Sequence, residues 1–246
     1  MVYKLVTFNI RIDLPTDGKN RFKKRLPAIK KFFTEENIDI ICIQELTRKM
    51  LIRLLFHLRN YEYCGKFRGS KRSNESNLIF FKKDKFELIE TKTLWLSDTP
   101  DIPKSRYAVD QSQFPRIITS VKLKTKDNKI LNVYNTHFDH QGTQARILSS
   151  KQILNYANMD EPVILVGDFN SNPDDEPIKI IYKHLTDITT HIPVTFHHFG
   201  SGKINTKIDY IFVNNYIKHQ NVKIIESKIK GMHLSDHHPI YMEFKI

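Results

Sequence analysis

Short apolar runs rich in β-branched residues recur along the whole chain, and most of them stop at, or carry, a polar residue. They include "YKLVTFNI", "IDIICIQ", "SNLIFFK", "FELIETKTLWL", "RIITSVKLKT", "KILNVYNTH", "PVILVGDF", "KIDYIFV", "VKIIESKI" and "PIYMEFKI". Several alternate with period two, as "RIITSVKLK" does, which suits strands with one wet face. "PVILVGDF" is continuously apolar and is expected to be buried on both faces. Helical patterns lie between these runs. In "RLPAIKKFFTEENI", Leu26, Ile29 and Phe33 share one face, and Pro27 suits a first turn. In "TRKMLIRLLFHLRN", Leu51, Leu54, Leu55 and Leu58 form a stripe behind Thr47, a candidate cap. "GTQARILSSKQILNYA" and "DDEPIKIIYKHL" are further helix candidates. Many strands and few helices predict an α/β (α+β) chain of two packed sheets with helices outside. No repeat or linker interrupts the pattern, so one compact domain over residues 1–246 is expected.

Hydrophobic residues make up 40% of the 246, enough to bury a sizeable core. "MVYKLVTFNIRID" has no long apolar run after a basic start, so neither a signal peptide nor a membrane span is read, and a cytoplasmic location is the expectation. Of the two cysteines, Cys42 lies in an apolar run and reads as a small buried residue, and one possible pair is a weak basis for a disulfide. The net charge of +12 favours polyanionic partners. A chain rich in Lys, Ile and Asn and poor in Gly, as an AT-rich genome encodes, would carry the same excess. Residues Ser97 to Gln113 form a long polar stretch without periodicity, and a loop of that length in a compact domain is often functional.

The polar residues at the strand ends carry the chemistry. "VTFN" ends on Asn9 and "ICIQE" on Glu45. "VYNTH" supplies Asn135 and His137, and "ILVGDFN" supplies Asp168 and Asn170. "KIDYIF" carries Asp209, and "SDHHP" brings Asp236 and His237 ahead of the last strand. A buried strand end is a costly place for a charge unless it is paired or bound to a metal. Oxygen ligands with few imidazoles and no cysteine cluster favour Mg²⁺ or Mn²⁺ over structural zinc.

In order, "TFNIR", "ICIQE", "NTHFDH", "GDFNS", "KIDYIF" and "SDHHP" resemble the motifs of the endonuclease/exonuclease/phosphatase superfamily, with its DNase I-like, deadenylase- and nocturnin-like members. Each motif alone is weak; their shared order spans essentially the whole chain. "NIRIDLPTDGKNRFKKR", "WLSDTPDIPKSRYAVDQSQFPR" and "THFDHQGTQAR" resemble a microbial subgroup that usually has tryptophan where this chain has Phe22, and often where it has Tyr107. Both departures are expected on the substrate side.

The resemblance implies a four-layer sandwich of mostly antiparallel sheets and in-line attack of water on a phosphoester. It implies that Glu45 is the principal metal carboxylate, with Asn9 beside the metal and Asp236 on the same side. Asp168 would orient or deprotonate the water, and Asn170 would donate to a phosphate oxygen. His237 would face the scissile phosphate as a cation or an acid/base, oriented by Asp209. His137 would meet the phosphate or the leaving group, supported by Asn135 and paired with Glu75. Arg116 would grip a phosphate. Asp139 and His140 are second-shell or loop candidates, and His238 is a bystander.

Nucleic acid is the first expected substrate, cut by a nuclease or phosphodiesterase. A phosphatase for a small phosphorylated metabolite or lipid headgroup is the alternative. A catalytically inactive binding module is a remote third, since every main catalytic position is filled. A monomer is expected.

Overall fold

The apolar runs pair into two six-stranded sheets in the computed structural model, which describes residues 1–69, 74–202, 205–226, 228–229 and 231–246. Part of the charged "KRSNES" segment lies outside the described residues. The first sheet has the order β11 (Lys218–Ile224), β14 (Ile240–Lys245), β1 (Tyr3–Asn9), β2 (Ile40–Thr47), β4 (Glu75–Lys82), β3 (Tyr61–Cys64). The second has β5 (Phe86–Trp95), β6 (Ile117–Thr125), β7 (Ile130–His137), β8 (Val163–Asp168), β10 (Asp209–Val213), β9 (Thr186–Asp187). A short ribbon, β12 (Lys228–Ile229) with β13 (Met232–His233), precedes the last strand.

Each sheet has one parallel pair at its centre, β1 with β2 and β7 with β8, and is otherwise antiparallel. The parallel pairs need crossovers, and these carry helices α1 (Phe22–Glu36) and α3 (Thr143–Tyr156). Helices α2 (Arg48–Leu55) and α4 (Glu176–Tyr182) complete the outer layers. Alternate residues of each strand face different layers, so three apolar clusters form. Leu5, Ile40 and Cys42 meet Val133, Ile164 and Ile211 between the sheets. Val6, Phe8 and Ile41 pack beneath Ile29, Phe33 and Leu51 of α1 and α2. Tyr134, Leu165 and Phe212 pack beneath Ile153 and Ile178 of α3 and α4. With apolar layers on both sides, β8 is buried at every residue.

Thr47 caps α2 as expected, its hydroxyl accepting from the Met50 N–H at 3.4 Å. Pro27 differs from expectation, because α1 begins at Phe22 and places the proline inside the helix. The proline leaves the Lys23 carbonyl without its helical donor, and both residues lie on the exposed face, where water replaces the bond. β3, β9 and β13 carry no clear apolar run, and β11 begins upstream of "VKIIESKI". β11 is an edge strand whose first four residues are exposed, and only Val222 and Ile224 pack half-buried against the core, so its start has no buried face to encode.

Candidate active site

Parallel pairing of β1 with β2 and of β7 with β8 gathers the carboxyl ends of four strands. Asn9, His137 and Asp168 are the last residues of β1, β7 and β8, and Asp209 is the first residue of antiparallel β10. In the second sheet His137, Asp168 and Asp209 are direct cross-strand neighbours. Gly167, at φ +146°, permits that row, because a Cβ there would lie 2.0 Å from the Thr136 carbonyl oxygen.

Glu45 does not end its strand. β2 continues to Thr47, and the β2–β4 register shifts between Ile43 and Leu46. Glu45 sits in that bulge at φ +59°, and the extra residue re-aims its side chain out of the ladder. Its carboxylate accepts from the Ile12 N–H at 2.8 Å and from Asn9 Nδ2 at 3.2 Å. The same Asn9 amide donates to Asp168 Oδ2 at 3.0 Å, joining the two sheets across the site.

Asp168 Oδ2 lies 3.5 Å from His137 Nε2 and 3.8 Å from His237 Nε2. Its other oxygen accepts from the Asn170 N–H at 2.9 Å. His237 Nδ1 is 2.8 Å from Asp209 Oδ2. Burial opposes the charge on His237, but Asp209, Asp168 and Asp236 outweigh it and raise its pKa to about 10. Burial and the Asp209 charge push Asp168 up to about 7. Burial, with Arg116 and Arg68, holds His137 well below its ordinary value, so it is neutral. The two imidazoles flanking one carboxylate therefore differ in charge.

A divalent ion finds two settings here. Among the described residues, Asp168, Asp209 and His237 bring ligand atoms within 4.8 Å of one another. A cationic imidazole already bonded to Asp209 is a poor partner for a second cation. The oxygen-rich side suits one better. Burial and Glu45 raise the pKa of Asp236, though His237 and Arg11 oppose them, and burial with Glu45 pushes Glu75 up to about 7. Burial also opposes ionisation of Glu45, but Arg11 and the Ile12 N–H hold it below the usual carboxylate range. Crowded carboxylates, with Glu45 and Glu75 only partly buried, fit a hard, oxygen-preferring cation.

Several expected roles change. Asn135 is sealed between the sheets, donating to the Ile43 and Leu78 carbonyls at 3.2 and 2.9 Å and accepting from Gln44 Nε2 at 2.6 Å. It is a tie between the sheets and reaches no phosphate. Glu75 pairs with Arg68 at 2.9 Å rather than with His137. Arg116 is buried, with Nε 3.5 Å from Asp139 and Nη2 3.0 Å from His140, and its Nη1 is sealed from solvent without a partner. It acts on His137 through its field rather than through an accessible grip. Asn170 donates one amide hydrogen to the Phe138 carbonyl at 3.0 Å, leaving the other. Asp139 ties down the long loop, accepting from the N–H groups of Ser112 and Gly142 at 3.1 and 2.8 Å. His238 stacks on His197 at 4.1 Å between ring centres. Phe22 is in the core, and the Tyr107 hydroxyl donates to Gln152 at 2.6 Å, so neither faces the substrate side.

Arg11 and Arg68 adjoin the site; Arg11 closes the "TFNIR" motif, which assigns it no role, and Arg68 carries no motif signal. Arg11 Nε lies 3.5 Å from Asp236 and Nη2 3.2 Å from Asp17. A cleft of about 450 Å³ adjoins Glu75, walled by Ile12, Leu14, Arg68, Lys104, Phe114 and Pro115. The long loop supplies its outer side.

The sequence model described as "Endonuclease/Exonuclease/phosphatase family" matches residues 6–237. A protein of Acanthamoeba polyphaga mimivirus is 28% identical over 162 residues, which cover 62% of this chain and 60% of that protein's own length. The crystal structure of an endonuclease/exonuclease/phosphatase from Bacteroides vulgatus is 29% identical with a TM-score of 0.91, covering 100% of this chain and 99% of its own. A mannosyl-6-phosphatase from Bacteroides thetaiotaomicron is 27% identical with a TM-score of 0.85, covering 99% and 100%.

Proposed function

Because this chain belongs to the endonuclease/exonuclease/phosphatase family, we propose that it is a metal-dependent phosphoester hydrolase that cleaves by in-line attack of water. The observation that carries this reading is Asp168 Oδ2 set between a neutral and a cationic imidazole, 3.5 and 3.8 Å away. A carboxylate with a pKa of about 7 is matched to proton transfer near neutral pH. Asp168 takes the proton of the attacking water. His237, held charged by Asp209, neutralises the charge that builds on the phosphoryl oxygens. The free amide hydrogen of Asn170 donates to the same group. His137 faces Asp168 from the other side and is placed to meet the leaving oxygen.

Glu45 would hold Mg²⁺ or Mn²⁺, with Asn9 and Asp236 beside it. Such an ion supplies Lewis-acid stabilisation of phosphoryl charge. Arg11, 3.5 Å from Asp236, opposes the rise in its pKa and orients it for that role.

The walled cleft beside Glu75 favours a small phosphorylated molecule as substrate, and the likeness to a mannosyl-6-phosphatase supports the same side. The net charge of +12 favours the second reading, a nuclease. A panel assay with Mg²⁺ and Mn²⁺ compares phosphate release from sugar phosphates and nucleotides with oligonucleotide cleavage, beside His237→Ala. Release from monoesters that His237→Ala abolishes is the expected result. Cleavage of oligonucleotides alone, falling steeply with salt, would establish the nuclease instead. No metal-dependent turnover on either class would sink the proposal.

A further inference from the structure

Arg25 lies on α1 at 0% exposure; the charges of Asp236, Asp17 and Glu45 act on it, but among the described residues it forms no ion pair, so its burial needs a compensating set of hydrogen bonds. Its guanidinium meets four backbone carbonyls from three segments, residues 10–11, Asn20 and Leu234. Nη1 donates to Ile10 at 2.8 Å and to Leu234 at 2.5 Å, Nη2 donates to Arg11 at 3.0 Å, and Nε donates to Asn20 at 2.6 Å. These carbonyls flank the residues read above as metal-binding. Ile10 and Arg11 follow Asn9, and the Ile12 N–H next to them holds Glu45 at 2.8 Å. Leu234 precedes Ser235, whose hydroxyl donates to the Asn9 carbonyl at 2.7 Å and lies 3.1 Å from Asp236 Oδ1. The two loops share no strand pairing there, and one planar donor bridges them.

We propose that Arg25 is a positioning residue that clamps the β1–α1 loop to the loop before β14 and thereby sets the spacing of Asn9, Glu45 and Asp236 before any ion arrives. The proposal rests on the metal-dependent reading above. Only a planar fork can serve it, because the four acceptors lie around one guanidinium. A lysine in its place keeps the charge, offers at most three hydrogens from a single nitrogen, and cannot span both loops. The aromatic rings of Phe22 and Phe199 lie 5.9 and 5.6 Å from the guanidinium carbon and flank it.

The test is direct Mn²⁺ titration of the wild type, Arg25→Lys and Arg25→Gln by calorimetry, with melting curves for each. The expected result for Arg25→Lys is Mn²⁺ affinity weakened about 10-fold, the size seen when an outer support of a metal ligand is lost. A lower melting temperature with unchanged affinity would mean that Arg25 only stabilises the fold, and would overturn the proposal. Hydrogen exchange on the wild type gives an answer even if neither variant folds. The clamp predicts that segments 10–14 and 234–237 are protected together in the metal-free protein. Protection that arises only on adding Mn²⁺ would overturn it. A wild type that binds no Mn²⁺ would defeat the metal-dependent reading itself, a different outcome from wild type and variant binding equally.

Discussion

Nδ1 of His237, on the loop entering the first sheet, lies 2.8 Å from Oδ2 of Asp209, the first residue of a strand in the second. The bond is local in space and remote in sequence, and it fixes both the position and the charge of the imidazole. Asp209→Asn keeps the geometry and removes the charge. We expect turnover to fall about 100-fold, within the range for losing a positioned acid or base. NMR titration of His237 should show its pKa falling from about 10 towards the ordinary value of about 6.5. An unchanged titration would show that Asp209 does not hold the proton there.

The rate should follow pH through the same two groups. In the proposed mechanism Asp168 acts ionised and His237 charged, so kcat/KM should rise through about 7 and fall towards 10. A bound divalent cation stabilises the ionised Asp168, so the lower limb should move to lower pH as Mg²⁺ is raised. A profile flat from pH 5 to about 11 would remove both groups from the mechanism.

Stability without metal should respond in a defined direction. His237 binds its proton more tightly folded than unfolded, so its contribution is complete below about 6.5 and is lost as pH rises towards 10. Asp168, with a raised pKa, works in the same direction over the lower window from its ordinary 3.8 to about 7. Melting temperature against pH should show the upper decline in the wild type and lose it in His237→Gln. A parallel decline in both would assign the effect to other groups.

Glu45→Gln should weaken Mn²⁺ binding by more than the roughly 10-fold typical of an outer support. The new amide would also turn a donor towards either the Ile12 N–H or the Asn9 amide, both of which need an acceptor. Calorimetry with Mn²⁺ reads the effect, and undiminished affinity would move the ion elsewhere.

Asn135→Ala removes three buried hydrogen bonds between the sheets, a cost of about 3 kcal/mol at about 1 kcal/mol each. Urea unfolding should show that loss with KM unchanged. A raised KM at full stability would return Asn135 to the phosphate.

Much of this site was legible as sequence because strands advertise their ends. A run such as "PVILVGD" stops where burial meets a charge, and Asp168, His137, Asn9 and Asp209 lie at such points. Glu45 was legible as a residue, while the bulge that aims it was not, since φ +59° at a glutamate leaves no compositional trace. Asn135 was misread for the converse reason, since an amide near a strand end looks the same whether it meets substrate or three backbone and side-chain partners. Glu75 and Arg68 form an ion pair that sequence spacing alone does not reveal. Arg25 did leave a trace. It falls on the apolar face of α1 with Phe22, Leu26 and Ile29, and a lone charge on such a stripe marks an interior contact.

The candidate site is divided between the sheets, with Asn9 and Glu45 from one and His137, Asp168 and Asp209 from the other. The thickness of the apolar interior is then the gauge that sets how far the metal-side acid stands from the base. Side chains such as Val133 and Ile164, sealed in that interior, are part of the catalytic measurement although no substrate reaches them. A methylene gained or lost there would shift one half of the site against the other.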